Sequence, residues 1–241
     1  MIVPSAQDFQ YAGSELALFA AAHRWKAYWS GMLRRFVTGD VLDVGAGIGS
    51  NVHPLMSERV RSWTALEPDA ALVGVMQRSV SGGALPANCH PVVGTLADLP
   101  GTAKFDSIVY IDVMEHIAND RAEAIIAASR LAPGGRLVVL VPAHRFLFSA
   151  FDAAIGHHRR YNRASLLALA PPGCNLEFCR MLDSVGFFAS LANKLLLRTA
   201  NPTAGQIQLW DRIMVPLSRL IDPLLGYRFG KTVVAVWLRA T

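Results

Sequence analysis

Residues 41–50, Val-Leu-Asp-Val-Gly-Ala-Gly-Ile-Gly-Ser, constrain this chain more than any other stretch. The first four, apolar apart from Asp43, read as the end of a buried parallel strand. Gly45, Gly47 and Gly49 then fall on alternate positions. Glycine permits a tight turn out of the strand and lets the backbone approach a ligand that a Cβ would exclude. Ser50 and Asn51 are placed to cap a following helix.

Strand and helix signals alternate downstream. Strands are expected at 62–66, 92–93, 105–112 and 136–142, and helices through 54–56, 72–78 and 121–129. Residues 113–117 should open the helix after the fourth strand, and 131–135 should turn tightly into the fifth. The fold class this predicts is α/β, a doubly wound, Rossmann-like parallel sheet with ligands beyond the strand C-termini. A helix over 11–37 precedes the sheet, with Trp25, Tyr28 and Trp29 on its core face.

The 241 residues, 52% hydrophobic and 17% charged, suffice for one domain with a substantial core and exclude general disorder. A net charge of +5 fits an anionic small molecule, a membrane surface or nucleic acid without choosing among them. Cys89, Cys174 and Cys179 form no CxxC pair and read as buried small residues. The first residues lack a basic and an apolar signal region, and no apolar run is long enough to span a bilayer. Both points predict a cytoplasmic protein.

Glu67 closes the second strand, followed by Pro68. An acid there suits hydrogen bonding to both ribose hydroxyls of an adenosine. Asp98, after Leu96 and Ala97, could accept from an adenine amine with Leu96 against the ring, or simply cap its turn.

Together VLDVGAGIG, the acid of ALEPD, the Asp of TLADLP, FDSIVYIDVMEHI and LAPGGRLVVLVP resemble the class I S-adenosylmethionine (SAM)-dependent methyltransferases, in order and spacing. The resemblance implies a seven-stranded sheet with a final antiparallel strand near 230–238, SAM as cofactor and S-adenosylhomocysteine as product. It places Asp43 and Gly45 by the methionine moiety, Glu67 by the ribose and Asp98 with Leu96 by the adenine, with Ala46, Gly47, Gly49, Pro68 and Ala97 also lining the cofactor. Asp112 and Val113 fall at the lip between cofactor and acceptor. A nicotinamide site is disfavoured because the loop is GxGxG rather than GxGxxG. Residues 152–161 are similar to a D-x-x-x-G-H-x-R-R-Y segment of a small bacterial branch of these enzymes, often found beside cell-surface or lipid-linked glycan genes.

On the acceptor side, methyl transfer needs a positioned nucleophile and a base, for which imidazole suits neutral pH. His157, His158, Tyr161 and His144 are the candidates for that work. Arg159 and Arg160, with His116, are the candidates for holding an anionic small-molecule, glycan-linked or lipid-linked acceptor. Asp112, Glu115 and His116 share a helical face that could hold a divalent ion, but a metal-free helix start is the preferred reading. Nucleic acid is not expected as a partner: no basic run with interleaved aromatics appears, and Tyr110-Ile-Asp-Val replaces a base-binding tetrapeptide at the fourth-strand end.

The chain therefore reads as one domain over 1–241: a helical cap (1–37), a SAM-binding core (38–145) and an acceptor-side segment with lid and last strands (146–241). A short helix at 166–170 and a strand at 176–181 are followed by an apolar helix from Ser184 through Leu191 and Leu195 to Leu197. The apolar stretch 207–225 is read first as a lid over the acceptor face. Peripheral membrane contact and a homodimer seam are its alternatives.

Overall fold

The computed structural model describes residues 15–194 and 203–241. The start of the predicted first helix (11–14) and Leu195–Leu197 lie outside the described residues.

Seven strands form one sheet: β1 (Gly39–Val44), β2 (Val60–Glu67), β3 (Cys89–Val93), β4 (Phe105–Ile111), β5 (Leu131–Pro142), β6 (Cys174–Leu182) and β7 (Thr232–Arg239). Their order is β3-β2-β1-β4-β5-β7-β6. Strands β1 to β5 pair in parallel, and β7 inserts antiparallel between β5 and β6. Strands β5 and β7 are runs of Val, Leu and Ala buried on both faces, as a sheet covered by helices on each side requires.

The helices are α1 (Glu15–Ala20), α2 (His23–Leu33), α3 (Val52–Leu55), α4 (Ala70–Ser81), α5 (Asp120–Arg130), α6 (Ala150–Ala154), α7 (Arg163–Leu167), α8 (Ser184–Ala192), α9 (Ala204–Leu209) and α10 (Val215–Leu224). One hydrophobic cluster, with Trp29, Trp63 and Leu55, fills one face of the sheet. A second, with Tyr110, Leu137 and Trp237, fills the other.

Several local expectations are corrected. The N-terminal helix breaks at Ala21–Ala22 into α1 and α2, although Trp25, Tyr28 and Trp29 do face the core. Asn51 offers α3 no side-chain cap, whereas Asp69 caps α4 by accepting from the backbone N–H groups of Ala71 and Leu72. Residues 114–116 form a single 3₁₀ turn and do not open a helix, whereas the longer helix expected beyond them is present as α5, capped by Asn119. The expected turn at 131–135 belongs to β5. Leu131 already pairs with Phe105, and the register shifts before Arg136, with Gly134 at φ 73 absorbing the irregularity. Cys89 is buried, but Cys174 and Cys179 are only half-buried.

The C-terminal helices are fastened to the rest by buried carboxylates. Asp211 accepts from the backbone N–H groups of Arg24 (3.2 Å) and Trp25 (2.8 Å), closing the N-terminus of α2. Asp222, fully buried, accepts from the Tyr28 hydroxyl (2.7 Å) and the backbone N–H groups of Asp183 (2.7 Å) and Ser184 (3.0 Å). Removing such a group strands its donors away from water. Asp222→Ala is therefore expected to lower unfolding stability by about 3 kcal/mol, read by urea denaturation. A midpoint indistinguishable from the parent would show that these bonds do not hold the helices down.

Candidate active site

The strand order reverses between β1 and β4, so a crevice opens beyond their C-terminal ends. The chain leaves β1 through Gly45, Gly47 and Gly49, at φ 68, 58 and 79, in the left-handed region that side chains resist. The backbone N–H groups of Gly45 and Ala46 donate to the Leu66 carbonyl at 2.8 and 3.1 Å. A Cβ on Gly45 would stand 2.7 Å from a Val113 methyl, so only glycine lets the β4 lip approach. At Gly47 the nearest neighbour to such a Cβ would be a Leu16 methyl at 3.5 Å, so helix α1 lies over the loop.

Two carboxylates define this half. Glu67 is buried and accepts from the backbone N–H groups of Gly47 (2.8 Å) and Asp69 (3.0 Å), and burial raises its pKa. Asp43 is fully buried, and neither oxygen has a hydrogen-bond partner. Burial pushes it up to about 7; Asn51 and the Trp63 indole temper that shift without closing a bond onto it. An unpartnered buried carboxylate beside an open glycine turn, with Glu67 across from it, fits a cationic adenosyl ligand. Pro68 is half-buried beside this pair, and Leu96 is buried in the second core cluster. Ala97 and Asp98 are exposed. Asp98 caps its turn by accepting from the Thr95 backbone N–H and hydroxyl, which hold its pKa low.

Strain marks the other half. Asp112 and Asp183 directly follow β4 and β6, and His144 stands two residues past β5; all three are non-glycines, at φ 55, 67 and 66. Asp112 is solvent-exposed at the end of β4, with protein packed around its other sides. Burial raises its pKa against the charges of His157, Lys231 and Arg160. His144 Nε2–H donates to the Gly230 carbonyl at 3.0 Å, and its ring packs against Phe187 and Phe146. A carbonyl only accepts, so this bond fixes the tautomer and leaves Nδ1 with the lone pair. Burial lowers its pKa, so the ring is neutral at pH 7. Lys231, just before β7, stands 5.1 Å from the centre of the Trp210 ring. Burial lowers its pKa, and no ion pair forms to it among the described residues.

The segment 152–161 turns out to be an internal network. Asp152 is fully buried and accepts from His157 Nδ1 (2.9 Å), Arg160 Nε (2.8 Å) and Nη2 (3.1 Å), and Ser149 N and Oγ (2.8 and 2.7 Å). Burial would raise the pKa of Asp152, but these donors outweigh it and hold the carboxyl well below the usual range. Arg159 pairs with Asp120 at 2.6 Å and donates to the Ala118 carbonyl. Neither guanidinium is free for a bound anion, which corrects the expectation for Arg159 and Arg160. Tyr161 is buried, with its hydroxyl shared between Asp120 (2.7 Å) and the Met114 carbonyl (3.1 Å); it braces the segment and does not face the cleft. His158 is exposed, and His116 meets the His157 ring edge-on at 4.5 Å.

Glu115, His116 and His157 bring one ligand atom each within 4.8 Å of one another and could hold a divalent ion. Glu115 is fully buried; neither oxygen accepts a hydrogen bond, and Oε1 lies 3.8 Å from His157 Nε2. Asp112 is not in this group, because the 3₁₀ turn breaks the helical face on which the two were expected to meet.

Sequence reasoning left Asp152, Asp183 and Lys231 out of the candidate set. Asp152 was within reach, since it opens the segment that supplies its own partners. Lys231 had no local signal: it stands at this end of the sheet only because β7 runs backwards and begins where β5 and β6 end.

The family model described as "Methyltransferase domain" matches residues 17–187. The chain belongs to that family and is a class I SAM-dependent methyltransferase. No curated protein matches it. Among solved structures it is similar to a geranyl diphosphate methyltransferase in complex with SAM, with a TM-score of 0.65 at 17% identity over 98% of this chain and 94% of that one. It is also similar to a putative methyltransferase from Bacillus halodurans, with a TM-score of 0.59 at 16% identity over 89% and 99% of the two chains. A third likeness is to the [4+2]-cyclase SpnF, with a TM-score of 0.60 at 15% identity over 89% and 81%. At these identities the likenesses carry the fold, and the family match carries the chemistry.

Asp152→Asn keeps the shape but leaves His157 and Arg160 facing a neutral amide. A depressed carboxyl pKa stabilises the fold above the unfolded value and loses that effect as pH falls through the folded one. The variant is therefore expected to be less stable by about 2 kcal/mol at pH 7, with the gap closing below about pH 4. Denaturant melts across pH check this, and a gap independent of pH would contradict it.

Proposed function

We propose that this enzyme moves the methyl group of SAM to a hydroxyl oxygen of an anionic acceptor, either a small molecule or one carried on a glycan or lipid, in the cytoplasm. The observation that carries the reading is His144, whose Nε2–H is tied to the Gly230 carbonyl, leaving Nδ1 with the lone pair, in a segment that pairs through Ala143 with the Lys231 backbone.

Bound SAM supplies an activated sulfonium methyl. Asp43 answers its positive charge, the glycine turn leaves room for its backbone approach, and Glu67 accepts from the ribose hydroxyls through lone pairs its two backbone donors leave open. Ala97 and Asp98 flank the adenine, on a turn that Leu96 anchors in the core. On the acceptor side, His144 Nδ1 takes the hydroxyl proton as the oxygen attacks. Lys231, unpaired and partly desolvated, holds the acceptor's negative charge in the role first assigned to Arg159 and Arg160. The His157–Asp152–Arg160 network positions the floor beneath Asp112.

Two outcomes follow. A cationic ligand favours ionised Asp43, whose pKa stands at about 7 without it. SAM affinity should therefore fall as pH drops through 7, with proton release on binding, read by calorimetry in buffers of different ionisation enthalpy. Asp43→Asn should flatten that dependence, and a pH-independent affinity in the parent would contradict the role. Once an acceptor is found by screening metabolites and glycans with labelled SAM, His144→Gln should lower kcat about a hundredfold with SAM affinity unchanged. Because the pKa of His144 is depressed, the parent rate should be flat at neutral pH and fall only below the ordinary imidazole range. A His144→Gln enzyme turning over at the parent rate would remove His144 from the chemistry.

A further inference from the structure

Residues 204–224 run as one helix, α9 and α10 joined through a π turn at Trp210–Met214. Its inner side holds Ile207, Trp210 and Val215 with the buried carboxylates Asp211 and Asp222. Its outer side leaves Leu209, Ile213, Leu217, Leu220 and Leu224 exposed, the last two at 70% and 85%. Their spacing of three and four residues makes one stripe along the helix. Single exposed leucines are ordinary, but a continuous row is the mark of a docking face.

The charges choose the occupant. Asp211 and Asp222 are the only acids between residues 204 and 230, and both are turned inward and used up by hydrogen bonds. The outward charges are Arg212 and Arg219, with Arg228 just past the end of α10, all exposed. The face is therefore a leucine row bordered by guanidiniums, with no exposed carboxylate from its own residues. A two-fold contact with a second copy would set these arginines against each other with no acid on the patch to pair them. An anionic bilayer answers both features, taking the leucines at the acyl boundary and the arginines at its headgroups. Among the described residues no helix is long and apolar enough to cross a membrane, so the geometry is that of a helix lying in the surface.

We propose that the outer face of residues 204–224 docks this enzyme on the surface of an anionic lipid bilayer. Helix α8 packs against α10 and carries Phe187, which stacks on His144, so the docking helix and the acceptor cleft share a neighbour. The proposal does not depend on which acceptor is used.

The test is co-sedimentation of the full chain with phosphatidylcholine vesicles containing phosphatidylglycerol, beside vesicles of phosphatidylcholine alone. The parent is expected to pellet with the anionic vesicles, less with the neutral ones, and less again as salt rises. The double variant Leu220→Glu, Leu224→Glu should stay in the supernatant while keeping the parent's melting temperature and SAM binding, because both side chains are exposed. Arg212→Gln with Arg219→Gln should lower anionic partitioning by roughly tenfold or more. A parent that stays in the supernatant with both vesicle types would overturn the proposal. So would a parent dimer that the double leucine variant turns into a monomer without changing its vesicle partitioning.

Discussion

The backbone N–H of Gly47 donates 2.8 Å to the Glu67 carboxylate and so ties the turn after β1 to the end of β2. That bond is made by a turn with left-handed backbone at Gly45, Gly47 and Gly49, whose N–H groups tie it to the end of β2 at the point where the strand order reverses. The same turn brings Val113 of the β4 lip against Gly45 and buries Asp43 without a partner. A fold optimised for stability alone would not leave a bare carboxylate in its core. Its persistence is understandable if a cation completes it.

The opposite half of the crevice works on a different principle. The ends of β4, β5 and β6 lead into strained non-glycine residues, Asp183 being held there by a hydrogen bond to Asp222 of α10. Rigid backbone of this kind fixes where Asp112 and His144 stand, which is what an in-line displacement asks of a protein. The buried Asp152 network beneath them is saturated with donors and is suited to support rather than to exchange with a ligand. The acceptor-side roles proposed above therefore fall to His144, whose Nε2 is tied to the Gly230 carbonyl, and to Lys231, which forms no ion pair among the described residues.

Most of the nucleoside half was legible because it is written locally. The glycine turn, the acid closing β2 and the alternation of strand and helix are each short-range signals, and the parallel sheet followed from them. The acceptor half was legible in composition but not in role. Arg159, Arg160 and Tyr161 look like ligand-binding residues until Asp152, Asp120 and the Met114 carbonyl are seen to occupy them. The 3₁₀ turn at 114–116 was taken for a helix start because Glu115 and His116 suit either. Lys231 could not be found by spacing, since antiparallel β7 starts at the end of the sheet where β5 and β6 finish, and Asp183 is engaged by Trp210 and Ser218 from late in the chain. The last helix was seen as apolar, but only its packing separates Asp211 and Asp222, turned inward, from the outward leucines and arginines.

The most direct test of the central claim is a crystal structure with S-adenosylhomocysteine bound. The account predicts the nucleoside between the glycine turn and β2, with both ribose hydroxyls on Glu67 and the amino acid end within hydrogen-bonding reach of Asp43 or its neighbouring backbone. Density for the nucleoside elsewhere, or a crevice between residues 45 and 67 filled by Leu16 while the ligand is excluded, would contradict it.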